Sequence, residues 1–324
     1  MDEQPFVSVV VPTYNRGPLL NECLDSLFGQ DYPKDKYEVI IVNDGSADDT
    51  EDILTEYEQR ADDRYMHFRQ ENKGVSAARN LGIQNSQGEI VCFTDDDCIA
   101  DPDWITNIVC EYDSMDVGGV GGRIKGFKPT RLIERYIEKN RLLDQEVFID
   151  LFLTGANSSY RRDLLGEIRG YDIHFHKVGG DDTDIGLRVK LAGKTLKYAR
   201  NAQVFHKHRT TVMGLVKQFH SYGRGYARMH KKYTSHFDPG KRVKYFISRI
   251  MKRCLAVFIR PFKAVTAQDK TLTGIEPVID IILLSAELTG VVREIVVGPA
   301  YPGEKIREKM DFMRKANAVG GWGL

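Results

Sequence analysis

The chain is poor in the residues that mark several common folds. It has five cysteines in 324 residues, none in a C-x-x-C pair and none regularly spaced. That pattern fits reduced, cytoplasmic thiols and excludes a disulfide frame or a zinc site. Glycine is missing where a dinucleotide fold needs it. The turn Pro12–Gly17, after the first apolar run, holds a single glycine, so the G-x-G-x-x-G of a nicotinamide oxidoreductase is absent. No G-x-x-x-x-G-K-[ST] stretch is present, which removes the P-loop. Long hydrophobic runs are also lacking. The best of them, Ile275–Val297, is broken by Glu276, Asp280, Glu287, Arg293 and Glu294, whereas a membrane span needs about 20 mostly apolar residues. The run Val7–Val11 is too short for a signal-peptide core and follows an acidic start, so no signal peptide is expected.

Net charge is absent as well, at +0, but the zero hides a division. Residues 1–118 carry 26 acidic against 8 basic side chains, a net of −18, and residues 200–270 carry 17 basic against 2 acidic, a net of +15. The acidic part and the basic tail are therefore expected to do different work. A basic tail attracts an anionic surface, either lipid headgroups or nucleic acid.

What is present begins with alternation. Val7–Val11, Tyr37–Val42, Tyr65–Arg69 and Glu89–Thr94 read as strands, and Leu19–Phe28, Asp49–Gln59 and Val75–Asn85 read as helices between them. Ser46 with Asp49 resembles an N-terminal cap for the second helix. This rhythm predicts an α/β fold built on a mainly parallel sheet flanked by helices. Ligands in such sheets bind beyond the carboxyl ends of the strands. There the chain places Pro12, Thr13, Tyr14, Asn15 and Arg16, then Asn43–Ser46, then Asp95, Asp96 and Asp97. Three successive carboxylates at a strand end repel one another and call for a cation. Hard oxygen ligands suit Mg2+ or Mn2+. A solvated acidic turn is the plainer alternative. If the backbone stays extended, Asp95 and Asp97 share a face and Asp96 points the other way, behind the site or into solvent.

In order, the segments Val9–Asn15, Val39–Ser46, Asn72–Asn80, Phe93–Asp97, Gly155–Arg162 and Gly179–Asp184 resemble the motifs of the family 2 glycosyltransferases, over roughly residues 6–210. The resemblance implies the Rossmann-like, nucleotide-sugar-binding GT-A fold and sugar transfer with inversion, using Mn2+ or Mg2+. It implies that Pro12, Thr13, Tyr14, Asn15, Arg16, Asp44, Lys73, Arg79, Asp95 and Asp96 lie on the side of the nucleotide diphosphate sugar, with Asp44 reading the base of a UDP-sugar. Asp97 and His206 would hold the metal. Gly155, Ala156, Asn157 and Asp181 would line the acceptor side, and Asp182 would be the general base. Asp181 stands where the family has the longer glutamate. His206 and His208 could equally be exposed in a basic loop, Asn43–Ser46 a plain turn, and Asp181–Asp182 the acidic N-terminus of a helix over Thr183–Ala192.

The expected division is a catalytic domain over residues 1–212 and a basic helical tail over 213–324. In the tail, Val243, Phe246, Ile247, Ile250, Met251, Cys254, Leu255, Phe258 and Ile259 recur at helical spacing, with Lys241, Arg242, Lys244, Arg249, Lys252, Arg253 and Arg260 between them. An apolar stripe opposite a basic face predicts a helix lying on an anionic membrane surface, with plain packing as the alternative. Ile275–Val297, with its line of charges, would be half-immersed in lipid or buried in a homo-oligomer. No nucleic-acid reader motif accompanies the basic residues. The only tryptophans are Trp104 and Trp322, so the Q-x-x-R-W of the family's processive synthases is absent and single addition is expected. The acceptor would be a glycan or a polyprenyl-linked glycan at the cytoplasmic face of the membrane. A protein or soluble-glycan acceptor, or an inactive nucleotide-binding scaffold, are the alternatives.

Overall fold

The structure, a computed structural model, describes residues 4–149, 151–175, 179–233 and 269–299 and the single positions 248, 251, 252 and 254. Of the basic helix expected over 241–260, only Ser248, Met251, Lys252 and Cys254 are described, all four helical and exposed, and the rest lies outside the described residues. The chain divides into two compact units, one of residues 1–127, 143–176 and 181–207, the other of 128–142, 177–180 and 208–324.

The first unit is built on an eight-stranded sheet. Its strands are β1 (Val7–Thr13), β2 (Tyr37–Asn43), β3 (Tyr65–Arg69), β4 (Ile90–Thr94), β5 (Cys98–Ala100), β6 (Val117–Gly126), β7 (Asn157–Arg161) and β8 (Thr195–His206). They lie in the order β3-β2-β1-β4-β7-β6-β8-β5. The first four pair in parallel, with Val9 opposite Val39 on one side and Cys92 on the other. Strands β1, β2 and β4 are buried along their whole length, in keeping with the near-continuous apolar runs of strands covered on both faces. Helix α1 (Gly17–Phe28) covers one face with Leu20, Cys23, Leu24 and Leu27, at helical spacing. Helix α2 (Thr50–Arg60) follows β2, and α3 (Val75–Asn85) packs so closely on β1 that a Cβ on Gly82 would stand 2.2 Å from Val10. The expected mainly parallel α/β sheet is therefore found.

The far half was not foreseen. Strand β7 runs antiparallel between β4 and β6, β8 runs parallel to β6, and the short β5 pairs antiparallel with β8, with helices α4 (Trp104–Val109) and α6 (Arg162–Glu167) following β5 and β7. Asn157 holds this half together from a wholly buried position. Its side chain accepts from Trp104 Nε1 at 2.8 Å and donates to the carbonyls of Arg123 and Ala202, each at 3.0 Å. Another local expectation changes too. Ser46 does not cap α2; its hydroxyl accepts the Asn15 N–H at 2.9 Å, and Asp48 takes the Thr50 N–H at 3.1 Å instead.

The second unit contains α5 (Leu132–Lys139), α8 (Val212–Tyr233) and α9 (Lys270–Val297). Ile133, Tyr136, Leu215, Phe219, Ile279 and Leu283 form its core. The acidic line of α9 turns out to face inward. Glu276 pairs with Lys139 at 2.8 Å, Asp280 accepts from the Tyr136 hydroxyl at 2.5 Å, and Glu294 accepts from Arg228 Nε at 2.8 Å and Arg224 Nε at 3.1 Å. Ile275, Val278, Ile282, Val292 and Val296 point outward. The carboxylates go inward because α5 and α8 present cations and hydroxyls there, and a buried charge needs such partners. Among the described residues no helix is long and apolar enough to cross a membrane.

Candidate active site

The chain ends of β1, β2 and β4 converge as the sequence implied, and the loops are tied to one another. Asn15, in a left-handed conformation at φ 53°, donates its N–H to Ser46 Oγ and accepts the Ala47 N–H at 2.8 Å. Asp44 is buried and anchors the next loop, accepting from Gln70 Nε2 at 2.6 Å, the Lys73 N–H at 2.9 Å and the Gly74 N–H at 2.8 Å. Pro12 and Thr13 are buried within β1, whereas Tyr14 and the Lys73 side chain are exposed. Asn43–Ser46 is thus more than a plain turn, because its side chains bind the loops on either side.

The three carboxylates are not extended. After β4 the chain turns, with the Cys98 N–H donating to the Asp95 carbonyl at 3.0 Å. The turn divides them differently from the alternation expected of a strand. Asp96 and Asp97 both face Arg16, whose Nη1 stands 3.0 Å from Asp96 Oδ1 and 2.5 Å from Asp97 Oδ2. Asp95 faces Arg79. Asp96 is therefore neither solvated nor turned away. Burial pushes its carboxyl up to about 7 against the pull of Arg16.

Strand β5, which follows the turn, brings in a residue from far along the chain. Cys98 pairs with His206 across β5 and β8, so His206 Nε2 lies 3.4 Å from Asp97 Oδ1. The ligand atoms of Asp97, Cys98 and His206 all lie within 4.8 Å of one another. An oxygen, a nitrogen and a sulfur donor at that spacing fit a divalent transition ion, and the imidazole suits Mn2+ better than Mg2+. Burial, then Asp97 and Asp95, push the Cys98 thiol well up, and a divalent ion held there would act on it in the opposite direction. Sequence reading missed Cys98 because only the strand pairing places it beside His206. Neither histidine is exposed: His206 is half-buried, and His208, in the second unit, is buried against Glu138 at 2.7 Å.

Arg79 is the other departure. Its guanidinium lies between three carboxylates, with Nη2 3.1 Å from Asp95 Oδ1 and Nη1 3.1 Å from Asp181 Oδ2 and 3.4 Å from Asp182 Oδ1. Its side chain is 5% exposed, against 31% for Asp95 and 23% for Asp182. The two carboxylates reach the surface while the arginine between them does not. Gly155 makes room for it, because a Cβ there would fall 2.1 Å from Arg79 Nη2. The Gly155 N–H also donates to Asp182 Oδ2 at 2.9 Å.

Asp181 and Asp182 open helix α7 (Asp181–Leu191), whose N-terminus favours negative charge. Even so, burial and the neighbouring Asp181 push the Asp182 carboxyl up, with Arg79 and the Gly155 N–H opposing. A carboxylate raised in this way and still partly exposed has properties suited to a general base. Of the expected acceptor-side residues, Gly155 and Asp181 meet Asp182 here. Ala156 is buried with its carbonyl on Thr94 Oγ1 at 2.9 Å, and Asn157 has its amide committed to the sheet.

The model of the family described as "Glycosyl transferase family 2" matches residues 8–169, and that of "Glycosyl transferase family group 2" matches residues 90–266. Glycosyltransferase AglE of Haloferax volcanii is 31% identical over 218 residues, which cover 66% of this chain and 71% of that protein. A glucosyl-dolichyl phosphate glucuronosyltransferase of the same organism is 30% identical over 242 residues, covering 68% and 76%. Among solved structures, the mannosyltransferase PcManGT from Pyrobaculum calidifontis, in complex with GDP-Man and Mn2+, shares the fold with a TM-score of 0.66 at 20% identity, covering 91% of this chain and 88% of that one. The chain belongs to the family 2 glycosyltransferases, and is an enzyme of the GT-A fold.

Proposed function

We propose that this glycosyltransferase moves a sugar from a nucleoside diphosphate sugar to a hydroxyl of a lipid-linked or polysaccharide acceptor, with inversion at the anomeric carbon. The observation that carries the reading is Arg79, which gathers Asp95 on one side and Asp181 and Asp182 on the other. A donor-side carboxylate and a base held on one counter-ion can act on the two partners of a single displacement. Asp95 binds the ribose or sugar hydroxyls of the donor. Asp182 accepts the proton of the acceptor hydroxyl as its oxygen bonds to the anomeric carbon. The bond from that carbon to the phosphate oxygen breaks, and the nucleoside diphosphate leaves. Proton transfer of this kind contributes roughly 10²–10⁴-fold. Asp97 and His206 would hold a divalent ion, with Cys98 beside them, and such an ion supplies neutralisation of the charge that builds on the diphosphate.

A uridine donor is the first reading from the resemblance of Asp44 to the family's base-reading aspartate; its Oδ2 receives one protein N–H and can accept the N3–H of uracil. The GDP-Man bound by PcManGT makes a guanosine donor the second reading. A polyprenyl-linked acceptor is supported by the dolichyl phosphate in the name of the Haloferax relative. A basic segment at 241–260 would then hold the enzyme to the anionic cytoplasmic surface of the membrane. The test is a panel of UDP- and GDP-sugars with Mn2+ or Mg2+, read as nucleotide release without acceptor. Metal-dependent release from one sugar nucleotide is expected, and no release from any of them would contradict the reading. For the tail, flotation with anionic liposomes is expected. No binding, or binding indifferent to charge reversal at Lys241, Arg242 and Lys244, would remove the membrane from the proposal.

A further inference from the structure

We infer that Arg16 is an exchangeable counter-ion. It holds Asp97 while the site is without donor, and passes to the phosphate oxygens when a divalent ion and a nucleoside diphosphate bind together. The inference rests on the proposed placement of the metal at Asp97.

Two nearly buried carboxylates side by side need a cation, and Arg16 supplies it, touching Asp96 and Asp97 with the same nitrogen. Asp97 is also the carboxylate whose other oxygen faces His206. Arg16 and a metal ion on Asp97 and His206 would therefore claim one carboxylate, and as two cations a few ångströms apart they repel.

The structure gives Arg16 somewhere to go. Its side chain is 36% exposed, whereas those of Asp96 and Asp97 are 5% and 11% exposed. Arg79, the other arginine of the site, is held by three carboxylates at 5% exposure and is fixed. The backbone at the pivot is also fixed, by the two hydrogen bonds of Asn15 to Ser46 and Ala47. Only side-chain torsions need change, and the core is undisturbed. A guanidinium fork matches phosphate oxygens as well as carboxylate oxygens. With ion and diphosphate bound, Arg16 is repelled from Asp97 and drawn to the new anion. Metal and nucleotide then bind cooperatively, and metal alone binds weakly.

The test is Mn2+ binding to the full chain, followed by the electron paramagnetic resonance of free Mn2+, first without nucleotide and then with UDP or GDP. Arg16→Gln is expected to bind Mn2+ alone about tenfold more tightly than wild type, and to bind the nucleoside diphosphate about tenfold more weakly at saturating Mn2+. Arg16→Lys keeps the charge but offers the phosphate oxygens a single ammonium in place of the guanidinium fork. It is expected to fall between the two, and gives the same reading if Arg16→Gln does not fold. Unchanged or weaker binding of Mn2+ alone to these variants overturns the exchange. Asp97→Asn separates the two levels: if it leaves Mn2+ affinity untouched in both the wild-type and Arg16→Gln backgrounds, the metal placement itself is wrong.

Discussion

Arg79 stands 3.4 Å from Asp182 Oδ1 and 3.1 Å from Asp95 Oδ1, so the proposed base and a donor-side carboxylate share one buried counter-ion. The charge of Arg79 holds the Asp182 carboxyl down against burial and against Asp181. Its removal lets that carboxyl rise further. Arg79→Gln is expected to move the acid limb of the kcat profile to higher pH, and to destabilise the protein by about 3–5 kcal/mol through the buried charges left unpaired. A pH–rate series and urea unfolding measure the two effects. An unmoved acid limb would detach Arg79 from the base.

Asp181 acts on the same carboxyl with the opposite sign. Burial first, and then the Asp181 charge, raise Asp182 in the folded protein. The base works only when deprotonated, so wild-type kcat is expected to fall as pH drops through a value above the ordinary carboxylate range. Asp181→Asn removes a raising charge and is expected to shift that limb to lower pH. The comparison needs only kcat against pH for the two proteins.

At the proposed metal site, His206 would contribute the nitrogen donor, 3.4 Å from Asp97. His206→Gln replaces imidazole by an amide oxygen, which Mg2+ accepts more readily than Mn2+ does. The expected outcome is weaker Mn2+ binding with Mg2+ binding little changed, read by titration with each metal. Chelation by EDTA is expected to stop transfer in the wild type, with recovery on adding Mn2+.

Asn157 separates a fold role from an acceptor role. Its amide serves Trp104, Arg123 and Ala202 within the buried half of the sheet. Asn157→Ala is expected to cost about 3 kcal/mol of stability, because several buried polar groups lose partners. The KM for the acceptor should change little in the protein that remains folded. A large KM effect with unchanged thermal stability would return Asn157 to the acceptor side.

The near half of the sheet was legible because β1, β2 and β4 are largely β-branched, buried runs, with helices of clear spacing between them. Tyr65–Arg69 and Val75–Asn85 match residue for residue. The rest depends on pairings distant in sequence. That Cys98 lies opposite His206 follows from an antiparallel pairing of a three-residue strand, too short to show a period. The expected facing of Asp95 with Asp97 failed because the chain turns at Asp95 and places Asp96 beside Asp97 on Arg16. The inward acids of α9 were misread for a related reason. Glu276, Asp280 and Glu294 look solvent-facing until Lys139, Tyr136 and Arg228 are placed against them. Asp182 and Asp97 were named as candidates from sequence because adjacent carboxylates leave a local signal. Arg79 lay in a noticed motif, but its link to Asp182 is a tertiary contact with no such signal.

The central claim, that Asp182 takes the acceptor proton, is tested most directly by the transfer rate of Asp182→Asn beside its affinity for the donor nucleotide. The expected result is a loss of kcat of roughly 10²–10⁴-fold, with metal-dependent nucleotide binding retained. Turnover near the wild-type rate in a folded Asp182→Asn protein would contradict it.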